Sequence, residues 1–440
     1  MKKIYLTAIL LLAMLTAIAL IGCSNGAADP PAPAPADSGG TAPAGNEATP
    51  GGGEAITIQL DQFSGQGGNE EALKEMIAEF NAVHPEITVK LQSFGYDDYF
   101  TQLQAKVVGG QAADVFELNF EGFVSYASEG LLLDIGGLVG DTSGFNQTAL
   151  DAFSYQGTQY GIPNSFSNVI LVYNKDLFDQ AGCDYPTNDW TWADMLEAAK
   201  GIRALDDSIF GLYRPISFHE FYKGVIQNGG SLMNGDMTAF TVNLPQNVEA
   251  LETMLSWVNE YNVMPTDAQL GGIKNEELFV SGRLGMVVIG IWMLNDFINN
   301  CDFAWDIAIE PGNTAKATHF FSNAYVVNKD TANPEAAAAL ASFLAGSREA
   351  ASIRVAASWE LPPVNYADIL EEYLSITPPD NRQAIFDSLN YLCLPPVVEQ
   401  QSKMQDIIGK HLESAVSGAV SAGEALDACQ QELEQNIALG

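Results

Sequence analysis

Ile56-Thr57-Ile58-Gln59-Leu60, then Asn69-Glu70-Glu71-Ala72-Leu73-Lys74-Glu75-Met76-Ile77-Ala78-Glu79-Phe80-Asn81-Ala82-Val83-His84-Pro85, then Ile87-Thr88-Val89-Lys90-Leu91: in this stretch the hydrophobic period changes twice. Ile56, Ile58 and Leu60 alternate with polar residues, as in a strand with two unlike faces. Asn69 reads as a helix N-cap, Glu70 and Glu71 suit the positive end of the helix dipole, and Leu73, Met76, Ile77, Phe80 and Val83 recur at helical spacing until Pro85 stops the run. Ile87, Val89 and Leu91 restore the alternation. A strand-helix-strand unit sharing one sheet implies parallel strands and a right-handed crossover, so the fold class is α/β.

The same grammar continues downstream. Short apolar runs at Val169 to Tyr173 and Leu284 to Ile289 lie between helical stretches such as Ala193 to Ala204 and Pro334 to Leu344, and the chain from Pro378 onward reads mainly as helix. No internal repeat of fixed period is present. At 440 residues and 47% hydrophobic the chain exceeds one compact domain, and two lobes are expected. The 19 Lys+Arg against 55 Asp+Glu give a net charge of −36. That field repels phosphate backbones, so no nucleic-acid partner is expected; it also keeps a secreted protein soluble and monomeric, and so says little about a ligand.

Lys2 and Lys3 precede an uncharged apolar run from Ile4 to Ile21, the pattern of a secretory leader. The run ends in Leu20-Ile21-Gly22-Cys23, which resembles the bacterial lipobox, so residues 1–22 read as a lipoprotein signal peptide and Cys23 as the lipidated first residue of the mature chain. An uncleaved membrane-spanning helix is the competing reading, since the run approaches the roughly 20 residues a bilayer requires. Either way the bulk of the protein lies outside the cytoplasm, on the outer face of the cell membrane. Residues 24–54 are almost wholly Ala, Pro, Gly, Ser, Thr, Asp and Asn and cannot build a core. They form a leash spanning on the order of 30 Å. The remaining cysteines, Cys183, Cys301, Cys393 and Cys429, show no metal spacing; four allow three disulfide pairings, and all four could equally be buried apolar residues.

Reactive motifs are absent from the sequence. His219-Glu220-Phe221-Tyr222-Lys223 begins like a zinc-protease helix but has Lys where the second His must stand, so His219 reads as a surface or cleft-edge residue. No nucleophile elbow or phosphate loop occurs, and neither a cofactor nor a metal is expected. A carboxylate pair meeting in space, as in a secreted glycoside hydrolase, remains as the enzyme alternative, although no local pattern singles out an acid and a base.

Several segments, in order, resemble one family: Phe80-Asn81-Ala82-Val83-His84-Pro85, Gly110-Gln111-Ala112-Ala113-Asp114-Val115-Phe116, Tyr160-Gly161-Ile162-Pro163, Tyr173-Asn174-Lys175-Asp176-Leu177-Phe178, Trp190-Thr191-Trp192, Asn228-Gly229-Gly230, Leu278-Phe279-Val280-Ser281-Gly282 and Met286 through Gly290-Ile291-Trp292. From about Ile56 to Asn436 the chain is similar to the family 1 extracellular solute-binding proteins, the group that includes maltose-binding protein. The resemblance implies a periplasmic-binding-protein-like fold: two α/β lobes joined by crossover segments near Ser165 to Asn168, His319 to Asn323 and Pro363 to Tyr366, with a ligand cleft between them. Lobe 1 would comprise residues 55–165 and 320–365, and lobe 2 residues 166–319 and 366–440. It further implies a non-catalytic component of an ABC importer that captures a sugar or oligosaccharide and hands it to permease subunits; a non-sugar solute such as a peptide or polyamine is the alternative within binding.

Sugar recognition needs flat apolar surfaces against ring C–H faces and planar polar groups for hydroxyls. By position in the resemblance, Trp292 and Tyr173 would stack on sugar. Phe63, Phe120 and Glu121 would line the cleft, Asn119, Ser167 and Asn323 would meet hydroxyls, and Trp359 would lie on a loop returning to the cleft. Tyr173 and Phe120 could instead be core. Trp190, Trp192 and Asp114 read as structural, Asp114 as a strand-end carboxylate that takes backbone N–H groups. Leu118, Ser167 and Met404 to Asp406 depart from the maltose-binding pattern, so maltose itself is not implied.

Overall fold

A computed structural model describes residues 56–65 and 68–439. The leader, Cys23 and the linker expected over residues 1–54 lie outside the described residues. The opening unit forms as its periodicity predicts: β1 (Ile56–Gln62), α1 (Glu70–Val83) and β2 (Ile87–Ser93), with β1 and β2 parallel and Ile56 beside Ile87. α1 buries Leu73, Met76, Ile77 and Phe80, whereas Val83 is exposed at the helix end. Asn69 holds the N-cap position but makes no side-chain cap. Its backbone is already helical, which turns the side chain away from the first turn, and its Oδ1 accepts from Asn295 Nδ2 at 3.0 Å.

The chain continues through α2 (Tyr96–Val108), β3 (Val115–Asn119), α3 (Phe120–Ser128), a small hairpin β4 (Ser154–Tyr155) and β5 (Thr158–Gln159), and the long β6 (Gly161–Asn174). Then come β7 (Phe210–Tyr213), β8 (Leu284–Gly290), β9 (Trp305–Ala308), β10 (Thr318–Val327) and β11 (Leu392–Cys393), separated by helices. Nine strands connect in the order β2-β1-β3-β10-β6-β8-β7, with β9 on β6 and β11 on β10. The β1 pairs are parallel, whereas β10 runs antiparallel to both β3 and β6.

One strand, β6, serves both halves of this network. Residues 161–168 of β6 pair with β10, while Val169 to Asn174 pair with β8 and β9. Each half is buried on both faces, and alternation sorts the side chains. In the first half Val115, Tyr325 and Val327 join Leu73, Phe80 and Leu340 on one side, while Phe116, Ala324 and Val326 join Tyr99, Phe123 and Phe153 on the other. In the second half Val169, Leu171 and Tyr173 pack with Phe178, Trp192 and Met286, and Ile170 and Val172 with Leu284, Val287 and Ile307. Asp114 acts as expected at a strand end: its carboxylate accepts from Gln59 N at 2.9 Å and Thr331 Oγ1 at 2.6 Å. Cys183, Cys301, Cys393 and Cys429 are free thiols. Among the described residues no helix is long and apolar enough to cross a membrane.

Gly211 in β7 lies so close to the helix Trp192–Arg203 that an added Cβ would run into the Ala199 carbonyl. Gly211→Ala is therefore expected to destabilise the protein by about 1–3 kcal/mol, the usual cost of overpacking, read as a lower denaturant midpoint at unchanged m-value.

Candidate functional site

The junction of the two halves is where β6 and β10 run side by side from Ser165 to Asn168 and from Phe320 to Asn323. Strand register sets neighbours here: Asn323 lies between Asn119 of β3 and Ser165 of β6, and Phe321 lies opposite Ser167. The third connecting stretch joins the same place, since Phe166 exchanges both backbone hydrogen bonds with Leu361, at 3.0 and 3.1 Å. Polar side chains are buried in this row without full partners. Among the described residues Asn168 Oδ1 and His319 Nε2 find no hydrogen bond, and neither does the Trp359 indole N–H nearby in sequence. Orphaned buried groups are rare in finished cores.

Two carboxylates organise the first half's side of the junction. Glu117, fully buried, accepts from Phe63 N at 3.1 Å, Ser64 N at 3.0 Å, Ser64 Oγ at 2.6 Å and Asn164 Nδ2 at 2.9 Å, which fixes the turn after β1. Glu121, in the first turn of α3, faces the second half. Its oxygens lie 3.1 Å from His219 Nε2, one of them 3.6 Å from His319 Nε2, and Gln405 Nε2 donates to the other. α3 is aimed by its cap, Asn119, whose Oδ1 accepts from Gly122 N at 2.9 Å. Burial pushes the His319 imidazole well below its ordinary pKa, helped by His219 and Lys223. Burial also lowers that of His219, but the charge and hydrogen bond of Glu121 outweigh it and the net shift is upward.

Beside this group a groove of about 720 Å³ opens between the first half and the helices Phe218–Gln227 and Gln401–Val416. Rings of Tyr96, Phe100 and Tyr126 form one wall, and Asn119, Glu121, His219, Gln405 and Asp406 supply polar groups. A second groove of about 880 Å³, along α1 and Asn295, has no ring in its lining and suits a flat apolar ligand face poorly.

The residues expected from sequence divide between groove, junction and core. Asn119 and Glu121 line the groove, and Asn323 and Ser167 lie in the junction row. Phe120 is 6.4 Å from His319, ring to ring, and Phe63 backs the groove wall at 5.4 Å from Tyr96 and 5.5 Å from Phe100. Trp292 is half-buried, edge-on to Phe321 at 5.2 Å; its ring lies over Gly290, where any side chain would occupy the same space. Tyr173 and Trp359 are corrections. Tyr173 shares a strand face with Val169 and Leu171, packs on Phe178 and Tyr185, and sits about 13 Å along the strand from the junction end of that run. Trp359 is fully buried in the first half with the Arg354 guanidinium 4.1 Å over its ring. Period-2 alternation inside a strand buried on both faces makes a core tyrosine look the same as a cleft one.

Sequence reasoning left out His319, Phe321, Tyr96 and Phe100, and put His219 at a cleft edge without a role. The alternation of His319-Phe320-Phe321-Ser322-Asn323, rings and polar groups in one strand, was the available signal. It also gave no hint of the buried tetrad behind the helix Phe218–Gln227. There Arg214 and Lys223 meet Glu220 at 2.9 and 2.7 Å and Glu310 at 3.5 and 2.7 Å. Burial alone would raise the Glu220 carboxyl, but Lys223 and Arg214 outweigh it and hold it below the usual range.

A family model of bacterial extracellular solute-binding proteins matches residues 66–351. An arabinooligosaccharide-binding protein of Bacillus subtilis is 25% identical over 324 residues, 70% of this chain and 73% of its own. Among solved structures, an ABC substrate-binding protein from Listeria monocytogenes in complex with cycloalternan is 44% identical with a TM-score of 0.84, covering 86% of this chain and 98% of that one. A maltose-bound protein of T. maritima, 17% identical with a TM-score of 0.75 over 87% of this chain and all of that one, shares the fold. With its α/β halves, shared strand and junction groove, the chain belongs to the bacterial extracellular solute-binding proteins.

Proposed function

We propose that this protein is the substrate-binding component of an ABC importer and that its solute is an oligosaccharide. The observation that carries the reading is the 44% likeness, over 98% of that chain, to a relative whose structure holds cycloalternan. The groove supports it, because rings on one wall and carboxylate, amide and imidazole groups on the other are the two surfaces a sugar needs. In this reading residues 55–165 with 320–365 and residues 166–319 with 366–440 move as two lobes about the junction segments. Solute binds the closed arrangement better than the open one, and a permease recognises the closed shape. No bond of the solute is made or broken. The protein works as a monomer, with Cys23 carrying the lipid that holds it at the outer face of the membrane and residues 24–54 as its tether.

Cycloalternan and linear α-glucans, tested by calorimetry and thermal shift, are expected to bind and raise the melting temperature, with the saccharide recovered unchanged; hydrolysed sugar would point to a glycosidase instead. Trp292→Ala is expected to weaken binding by roughly 1–3 kcal/mol, the scale of a lost ring contact in a packed site, and an unaltered Kd would remove Trp292 from the site. Gly290→Ala should reproduce that loss by displacing the ring while leaving the tryptophan in place. Cys23→Ser is expected to release the protein from membranes and abolish metabolic labelling with palmitate.

A further inference from the structure

We infer that Glu121, His219 and His319 form a binding site for a divalent transition-metal ion, with Zn²⁺ the best match, placed where the two halves of the protein meet. One ligand atom from each lies within 4.8 Å of the other two. A tetrahedral Zn²⁺ about 2.0–2.1 Å from each ligand would set them about 3.3 Å apart. Two of the three edges already match, at 3.1 Å for His219 to Glu121 and 3.6 Å for His319 to Glu121. The third edge, His219 to His319, is within 4.8 Å, and the His219 side chain is a quarter exposed.

The hydrogen bonds around His319 supply an independent argument. The Tyr222 hydroxyl reaches both His319 Nδ1 and the Cys393 carbonyl oxygen, the latter at 3.1 Å. In the tautomer with its proton on Nδ1, His319 donates to the phenol oxygen while the phenol proton goes to the Cys393 carbonyl, which can only accept. The Nε2 atom is left with a bare lone pair in a wholly buried ring, without a hydrogen-bond partner among the described residues, pointing at a carboxylate oxygen 3.6 Å away. Two acceptors face one another, and a cation between them resolves the conflict. A proton on Nε2 would resolve it less well, because 3.6 Å is too long for a hydrogen bond.

An imidazole whose second nitrogen donates to an oxygen is the usual support of a metal-bound histidine, and Gln405 does the same for Glu121 by occupying its other oxygen. Two imidazoles and one carboxylate leave a fourth position open. Because Glu121 and His219 line the groove, that position faces it, and a solute hydroxyl or water can complete the shell. The ligands come from α3, the helix Phe218–Gln227 and β10, so the ion would clamp the two halves together.

The full-length protein, stripped with chelator and then freed of it, is titrated with Zn²⁺ and separately with Co²⁺ in the absence of any saccharide. Expected are one equivalent bound, a rise in melting temperature, and the intense visible absorption of a tetrahedral Co²⁺ site, with Mg²⁺ producing none of these. His219→Gln and Glu121→Gln should each weaken Zn²⁺ by at least about tenfold; the more exposed His219 gives a variant that folds even if the buried position does not tolerate change. No uptake by the parent protein, or uptake that survives in both variants, overturns the proposal. Since no sugar is present, either result leaves the saccharide reading untouched.

Discussion

Sharing of β6 between two sheet halves, with β10 beside it up to the junction, is the constraint on which the rest depends. A strand that pairs on both edges in one half and changes partners partway along must bury both faces twice, and this accounts for the near-continuous burial of Gly161 to Asn174. Between its two cores β6, with β10 beside it, crosses a short span where neither sheet needs apolar groups. Serine, asparagine and histidine fill that span, together with Phe166, Phe320 and Phe321.

Much of the architecture was legible because it rests on periodicity. The unit from Ile56 to Leu91, the apolar run at Leu284 and the helices beginning near Trp192 and Pro334 announce themselves by spacing, and the structure has them within a residue or two; the run at Val169 is the end of a strand that begins eight residues earlier, at Gly161. Asp114 was readable for the same reason: its position at a strand end dictates what a carboxylate can do. The site was legible only where sequence neighbours share it, as Asn119, Phe120 and Glu121 do. The partners of Glu121 stand 98, 198 and 284 positions away in His219, His319 and Gln405, and no local pattern encodes a contact across that distance. Tyr173 failed for the converse reason, since an aromatic residue in a strand gives the same local signal whether it faces a cleft or a core.

The buried tetrad of Arg214, Lys223, Glu220 and Glu310 shows how composition conceals interior electrostatics. Its two cations and two carboxylates cancel, so it adds nothing to the net charge of −36. Assemblies of this kind give little net stability over an apolar replacement, yet removing one member leaves a stranded charge. Here two of its members, Glu220 and Lys223, belong to the helix that presents His219 and Tyr222, and they tie it to Arg214 and Glu310 beside its apolar packing.

β6 also carries one extra residue, Asn164, opposite the step from Asn323 to Ala324 of β10, so the register between the two strands shifts there. The extra residue lets β6 bring Gly161 to Pro163 and Ser165 to Asn168 each into pairing with an unbroken β10. Natural variation should therefore treat the two flanks differently from the step itself. Exchanges of side chain can drift the solute preference freely, whereas gain or loss of one amino acid in β10 at this step would turn Tyr325 and Val327 toward the layer that now holds Ala324 and Val326, so lineages are confined to diversifying by replacement.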